Sequence, residues 1–364
     1  MHNSVVAFAP GRVELLGNHT DYNEGVVLSA AIDRGVTVSA HRRPGRRVEV
    51  SSQTNQRKAF ADLDQISSSA EEPWANYCFG VLRELVAAGL PSSGLRLEIA
   101  SDLPVGAGLS SSAALEVATA YAAIDLASWS LAPMKIAQLC QKAENDFVGV
   151  KCGLLDQASS VFGEDNKAIL LDFRSITAET CQLPMGVSLL LLDSGIPHAL
   201  TGGEYNERRE QCMAAAAGLK VSALRDATTA QVLASDLDPL VKRRALHITG
   251  ENERVFAGRQ ALRAGDVNTF GQLMFASHDS SRRNFENSTS YLDVLVEIAQ
   301  ATDGVIGSRL TGGGFGGSTV SLVRSARAAE IIESMQKKYL SMTGAKCRPI
   351  LTRPSRGARV LQQA

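Results

Sequence analysis

Neither charge is in excess in this sequence. Lysine and arginine number 37, and aspartate and glutamate 38, over 364 residues, giving a formal net charge of -1. Binding to nucleic acid or to an anionic membrane draws on a basic surplus, so no nucleic acid and no membrane is expected and small molecules are the default ligands. Cysteine is sparse as well. Cys78, Cys140, Cys152, Cys181, Cys212 and Cys347 show neither a Cys-x-x-Cys nor a Cys/His spacing, which leaves no ground for a zinc site or a disulfide framework. Residues 187–192 form an apolar run far too short to span a bilayer, and residues 1–10 lack a basic segment followed by an apolar one. The expected location is the cytoplasm. The chain also lacks Gly-x-x-x-x-Gly-Lys-Ser/Thr, and no Gly-x-Gly-x-x-Gly follows a first strand, which removes two common nucleotide-binding devices. No repeat and no low-complexity tail is present. The oligomeric state is open, with a monomer as the default expectation.

What the chain does have is a glycine- and serine-rich stretch at residues 102–118, Asp-Leu-Pro-Val-Gly-Ala-Gly-Leu-Ser-Ser-Ser-Ala-Ala-Leu-Glu-Val-Ala. Gly106 and Gly108 free the backbone so that several amide hydrogens can converge on one anion. The alanine-rich helix expected over 112–126 would add its positive end, and its serines could cap it or reach a metal. Taken alone, a strand-to-helix loop with a serine cap explains the stretch equally well.

Periodicity supplies the surroundings. Residues 5–9 and 25–31 read as strands around a polar loop, 11–24, and residues 34–52 read as a hairpin turning at Arg43-Pro44-Gly45-Arg46. A helix is predicted over 74–89, a strand over 95–99 and a helix over 133–147, followed by strands over 168–172 and 187–193. The second half reads as helices over 203–218, 238–262, 266–278, 290–301 and 326–342, with strands over 305–310, 318–323 and 347–352. This irregular alternation suits two α+β domains, 1–184 and 185–364, better than a doubly wound sheet.

Three further features carry chemistry. The loop at 11–24 gathers Arg12, His19, Asp21 and Tyr22, donors and acceptors suited to a polyol together with a permanent cation suited to a phosphoryl group. Glu144 and Asp156 are the notable carboxylates of the middle region. Glu144 also reads as a solvated helix residue. Asp156, set among small residues, can hold Mg²⁺ or accept a proton. The run Thr311-Gly312-Gly313-Gly314-Phe315-Gly316-Gly317 has more glycine than a hairpin needs, so something, such as a phosphate-bearing partner, is expected to pack closely against it.

Together, in this order and spacing, these stretches resemble the GHMP kinase family, and within it the galactokinase branch. Residues 11–22 are similar to its motif Gly-Arg-x-Asn-x-Ile-Gly-Glu-His-x-Asp-Tyr, 103–114 to its ATP motif, and 310–318 to its C-terminal motif. Residues 74–77, 143–144, 152–157 and 204–209 match further segments. The resemblance implies two α+β domains, the first ribosomal-protein-like and the second ferredoxin-like, with a cleft between them in which ATP phosphorylates D-galactose at O1. It implies Asp156 as the catalytic aspartate beside O1, with Arg12 as its cationic partner. Ser112 and Glu144 fall on the Mg²⁺ ligands, and Gly106, Ala107, Gly108, Leu109, Ser110 and Ser111 on the phosphate loop. Trp74 and Tyr77 fall on the adenine pocket, and Asn18, His19, Asp21, Gly153 and Tyr205 on the sugar-contacting positions.

One departure stands out. Where the family has Asn and then Glu four residues apart, this chain has Glu14 and then Asn18. In the family the second position is expected to meet the C6 side of the sugar, so the exchange leaves open a related kinase for galacturonate or N-acetylgalactosamine. A non-catalytic galactose and ATP sensor is expected to lack part of the Ser-Ala pair, which is intact here as Ser111-Ser112-Ala113.

Overall fold

The computed structural model describes residues 3–54, 56–91, 93–104, 108–196 and 203–363. A first sheet is built from β1 (Ser4–Leu16), β2 (Val26–Arg43), β3 (Arg47–Ser52) and β4 (Lys58–Asp62). After α1 (Asn76–Ala87) comes β5 (Gly94–Ser101), which leads towards α2 (Ser111–Leu126), α3 (Pro133–Ala143) and α4 (Leu155–Phe162). The strands β6 (Lys167–Asp172) and β7 (Thr177–Gln182) then hook onto the first half of β2.

The order in this sheet is β12-β1-β2-β5-β3-β4, where β12 (Arg359–Gln363) is the last strand of the chain described below. Two expectations are corrected by it. Residues 34–43 and 47–52 are strands, but they do not pair as a hairpin: β5 lies between them, antiparallel to β2 and parallel to β3. The turn between β2 and β3 is instead pinned to β5, since Gly94 donates its N–H to the Gly45 carbonyl at 2.6 Å. The polar loop expected from residue 11 begins later. Strand β1 runs on to Leu16, with Arg12 paired opposite Ala31 and Glu14 opposite Ser29. Polar side chains there do not break the strand because its apolar residues Val13 and Leu15 alternate with them and are fully buried.

The second half comprises β8 (Val187–Asp193), α5 (Gly203–Leu219), α6 (Thr229–Ala234), α7 (Pro239–Arg263), α8 (Val267–Ser280), α9 (Ser290–Gln300), β9 (Val305–Thr311), β10 (Ser318–Arg324), α10 (Ala328–Thr343), β11 (Arg348–Thr352) and finally β12. Its antiparallel sheet has the order β11-β8-β10-β9, with helical crossings before β9 and before β11, a ferredoxin-like arrangement. The apolar run in β8 reflects burial on both faces. Leu189 and Leu191 join the core that continues into the first sheet, whereas Leu190 and Leu192 pack with Leu295, Ile331 and Met335 of α9 and α10.

The division proposed at Pro184 falls between β7 and β8, which lie in different sheets. It does not separate the chain into two independent bodies. One apolar core runs from the first sheet to Val255 and Phe270 of α7 and α8, and β12 returns to pair with β1.

Helix α8 approaches β9 closely enough to exclude any side chain at Gly271, where a Cβ would lie 2.0 Å from the Ile306 carbonyl oxygen. Its far end carries His278, whose Nδ1 accepts from the Leu310 N–H at 3.2 Å, just before the glycine run. Gly271→Ala is therefore expected to cost about 2 kcal/mol or more of stability, read as a lowered denaturation midpoint. An unchanged midpoint would show that the helix can move off the strand freely.

Candidate active site

Strand β1 delivers Arg12, and α4 delivers Asp156 in its first turn. The guanidinium Nε and Nη2 both lie 2.7 Å from Asp156 Oδ1, and Nη1 donates to the Gly108 carbonyl at 2.8 Å. The loop before α2 closes over the pair. Its Leu109 carbonyl accepts from the Arg12 N–H at 3.2 Å, an approach open only because residue 11 is glycine. Ser110 precedes the helix with φ of 56° but does not cap it; its hydroxyl donates to Asp156 Oδ2 at 2.5 Å. Gly106 and Ala107 lie outside the described residues.

Two cavities flank this junction. The larger, about 450 Å³, has Arg12 and Asp156 in its wall together with Asn18, His19, Asp21, Gly153 and Tyr205. Glu14, Lys151, Cys152, Gly312 and Gly313 also line it. The smaller, about 290 Å³, is bounded by Trp74, Tyr77, Ser111 and Ser112, with apolar walls from Val36, Ile99 and Leu115. A flat aromatic-walled slot that opens towards a helix N-terminus suits a nucleotide whose phosphates point at the helix.

Behind the junction sits a cluster of acids. Glu144, at the start of a π-helical turn after α3, is buried and hydrogen-bonds Ser112; Gln157 Nε2 donates to its Oε2 at 2.7 Å. Burial and then the charge of Asp156 raise its pKa above the usual carboxylate range. The same amide nitrogen donates to Glu116 Oε2 at 2.9 Å, and Glu116, wholly buried, is shifted upward by burial and by Glu144.

The residues of the loop after β1 are held in different ways. His19 is buried and kept neutral, its pKa lowered to about 4 chiefly by desolvation. Its Nε2 donates to the Gly313 carbonyl, so Nδ1 accepts from the Tyr22 hydroxyl, and neither nitrogen is left for a ligand. The amide of Asn18 is likewise occupied. Its Nδ2 donates to Glu14 Oε1 and the Gly312 carbonyl, and its Oδ1 accepts from Asn287. Asp21 faces Gly153 so closely that a Cβ there would lie 1.8 Å from its Oδ2, which is why only glycine fits at 153. The glycine run thus packs against protein: Gly314 abuts the Asn287 carbonyl, while Gly312 and Gly313 leave bare backbone in the cavity wall.

The galactokinase galactose-binding signature matches residues 2–42, the GHMP kinases N terminal domain matches 76–164, and the GHMP kinases C terminal domain matches 259–341. Galactokinase of Chloroflexus aggregans is 44% identical over 357 residues, covering 95% of this chain and 90% of that protein. The chain belongs to the galactokinases of the GHMP kinase family. Galactokinase of Roseiflexus sp. is 42% identical and covers all of this chain and 95% of its own. Among solved structures, Lactococcus lactis galactokinase complexed with galactose superposes with a TM-score of 0.94 at 32% identity, covering 98% of this chain and 95% of that one. Mevalonate kinase of Methanococcus jannaschii, at 18% identity and a TM-score of 0.69, shares the fold.

Several residues that shape the family's site here carried no motif signal. Glu251 of α7 accepts the N–H groups of Gly17 and Asn18 at 2.7 and 2.8 Å and the Ser277 hydroxyl at 3.0 Å. Burial opposes its charge, but Arg254, Arg309 and His247 outweigh that and hold its pKa well below the carboxylate range. His247 donates from Nε2 to the Asn18 carbonyl at 3.1 Å. The one cue in the sequence was His247 and Glu251 four apart on a predicted helix, which places them on one face.

Asp21 gives the site a pH signature. Burial, then the negative charge of Glu14, raises its pKa from 3.8 to about 7. The folded state binds this proton more tightly than the unfolded one, so the associated stability is complete below about pH 4 and is lost as pH rises through 7. Asp21 lies in a cavity wall where water screens part of the effect, so Asp21→Asn is expected to stabilise the free protein by about 1–2 kcal/mol at pH 8 and much less at pH 5. Denaturation midpoints of both proteins at the two pH values provide the check, and an equal difference at both would contradict it.

Proposed function

We propose that the chain transfers the γ-phosphoryl group of ATP to O1 of D-galactose, yielding galactose 1-phosphate and ADP in the cytoplasm. The observation that carries this reading is Asp156, gripped by Arg12 and Ser110 where the polar cavity meets the loop before α2. The six cysteines, none of them paired, accord with a reducing compartment. Galactose would occupy the larger cavity and the adenine the slot beside Trp74 and Tyr77, which sets the phosphates across the N-terminus of α2.

A divalent cation fits the remaining geometry. Ser112 and Glu144 present a hydroxyl and a carboxylate, hard oxygen donors of the kind Mg²⁺ takes, where burial and the charge of Asp156 both work against the Glu144 anion. Bound there, Mg²⁺ would neutralise charge on the phosphates of ATP. Gln157 holds the Glu144 carboxylate in place from behind.

The chain's own residues account for the transfer step. Asp156 accepts a hydrogen bond from the O1 hydroxyl and orients it; the new O1–P bond forms as the bond from the γ-phosphorus to the bridging oxygen breaks, and the hydroxyl proton passes to Asp156. Arg12 offers permanent positive charge beside the migrating group, and the bare Gly312 and Gly313 backbone lets the sugar sit close.

The test is phosphorus NMR of the product formed from Mg-ATP and D-galactose, with phosphate expected on O1. Asp156→Asn is expected to keep ATP binding and lower kcat by roughly 100-fold or more, the scale of losing a positioned proton acceptor. Phosphate on O6, or near-native turnover by the variant at saturating sugar, would refute the assignment.

A further inference from the structure

Glu14 takes no part in the transfer step, yet it is firmly placed in the wall of the larger cavity. It follows Arg12 by two positions on β1, so the two side chains leave the strand on one face about 7 Å apart. Oε1 of Glu14 accepts from Arg309 Nη1 at 2.8 Å and from Asn18 Nδ2 at 3.0 Å. Its backbone N–H donates to Thr311 Oγ1 at 2.9 Å. Oε2 has no hydrogen-bond partner among the described residues, and Glu14 lines the cavity that holds Asp156. A carboxylate fixed through one oxygen, with the other turned to a polar cavity, is a ready acceptor for a hydroxyl group.

Asn18 is the poorer candidate for that role. Both hydrogens of its amide are taken, by Glu14 and the Gly312 carbonyl, and its oxygen is held by Asn287. Arg309 stands behind the pair, fully buried, and balances the charge of Glu14 without entering the cavity wall. Between the two residues whose order is exchanged in this chain, only Glu14 has a charged oxygen with no hydrogen-bond partner among the described residues to offer a ligand.

We infer that Glu14 is the residue through which this site recognises one sugar hydroxyl remote from O1, with Asn18, Arg309 and Asn287 as positioning residues. The inference rests on the reading of the larger cavity as the galactose site and adds to it a determinant of which sugars are accepted. A carboxylate accepts hydrogen bonds and repels a second carboxylate, and Asp21 in the same wall adds acidic character. The site therefore selects neutral hexoses whose hydroxyl meets Glu14.

The experiment compares wild type and Glu14→Gln on D-galactose and on its 2-, 3-, 4- and 6-deoxy analogues, reading kcat and KM separately. For galactose the variant is expected to raise KM about ten-fold or more with little change in kcat, the scale of a lost charge-assisted hydrogen bond. For one of the deoxy sugars that penalty should vanish, because the hydroxyl that Glu14 reads is absent. An equal penalty on all five sugars, with normal wild-type turnover of galactose, would reduce Glu14 to a support for Arg309 and overturn the inference alone. Failure of the wild type to phosphorylate galactose would instead overturn the galactose reading and this inference with it. Should Glu14→Gln not fold against the buried Arg309, Glu14→Asp keeps a carboxylate there while drawing its free oxygen back from the cavity. That variant is expected to raise KM for galactose with the penalty absent on the same single deoxy sugar, and a folded form with an equal penalty on all five sugars would overturn the inference.

Discussion

The ion pair between Arg12 and Asp156 organises this molecule. It joins the first strand to a helix 144 residues later, and through the Gly108 carbonyl it also holds the loop before α2, 96 residues from Arg12. Water is largely excluded from Arg12, so the pair is worth far more as a geometric constraint than an exposed one would be. With the guanidinium clamped on one oxygen and Ser110 on the other, the carboxylate has little freedom to turn. A proton acceptor that cannot turn is already aligned when its substrate arrives.

A second constraint joins the halves of the chain. The turn after β1 has no side chain of its own to satisfy the N–H groups of Gly17 and Asn18, and α7 supplies Glu251 to do it. From the other side, Asn18 and His19 reach the carbonyls of Gly312 and Gly313. The wall of the larger cavity is therefore shared between two sheets, and neither half could present it alone. The apolar core that continues across the same boundary keeps the halves in register.

What could be read from the chain in advance was chemistry concentrated in short stretches. Arg12, Asp156 and Ser110 to Ser112 announced themselves because a cation, a carboxylate and a glycine-serine loop each have a local reason to occur. Strands were legible for the same reason: alternation marks a strand within a few residues. Which strand lies beside which was not, and β5 slipped between two segments that looked like a hairpin, because neighbour choice depends on contacts made far along the chain. Glu251, Asn287 and Arg309 were silent too. They act on backbone groups, a side-chain amide or a buried carboxylate more than 200 residues away, and a residue of those types carries no sign of such a partner. Asp21 and Gly153 were read as separate sugar contacts, whereas their closest relation is steric and mutual.

The return of β12 to the first sheet has a consequence for how the protein is made. Strand β1 is synthesised long before β12, and its outer edge accepts no strand neighbour until residues 359–363 emerge. During that interval the alternating apolar segment 5–9 presents an unsatisfied strand edge of the sort that recruits other chains. The arrival of β12 therefore completes the sheet, and the interval before it is when a slowly translated copy is most exposed to aggregation.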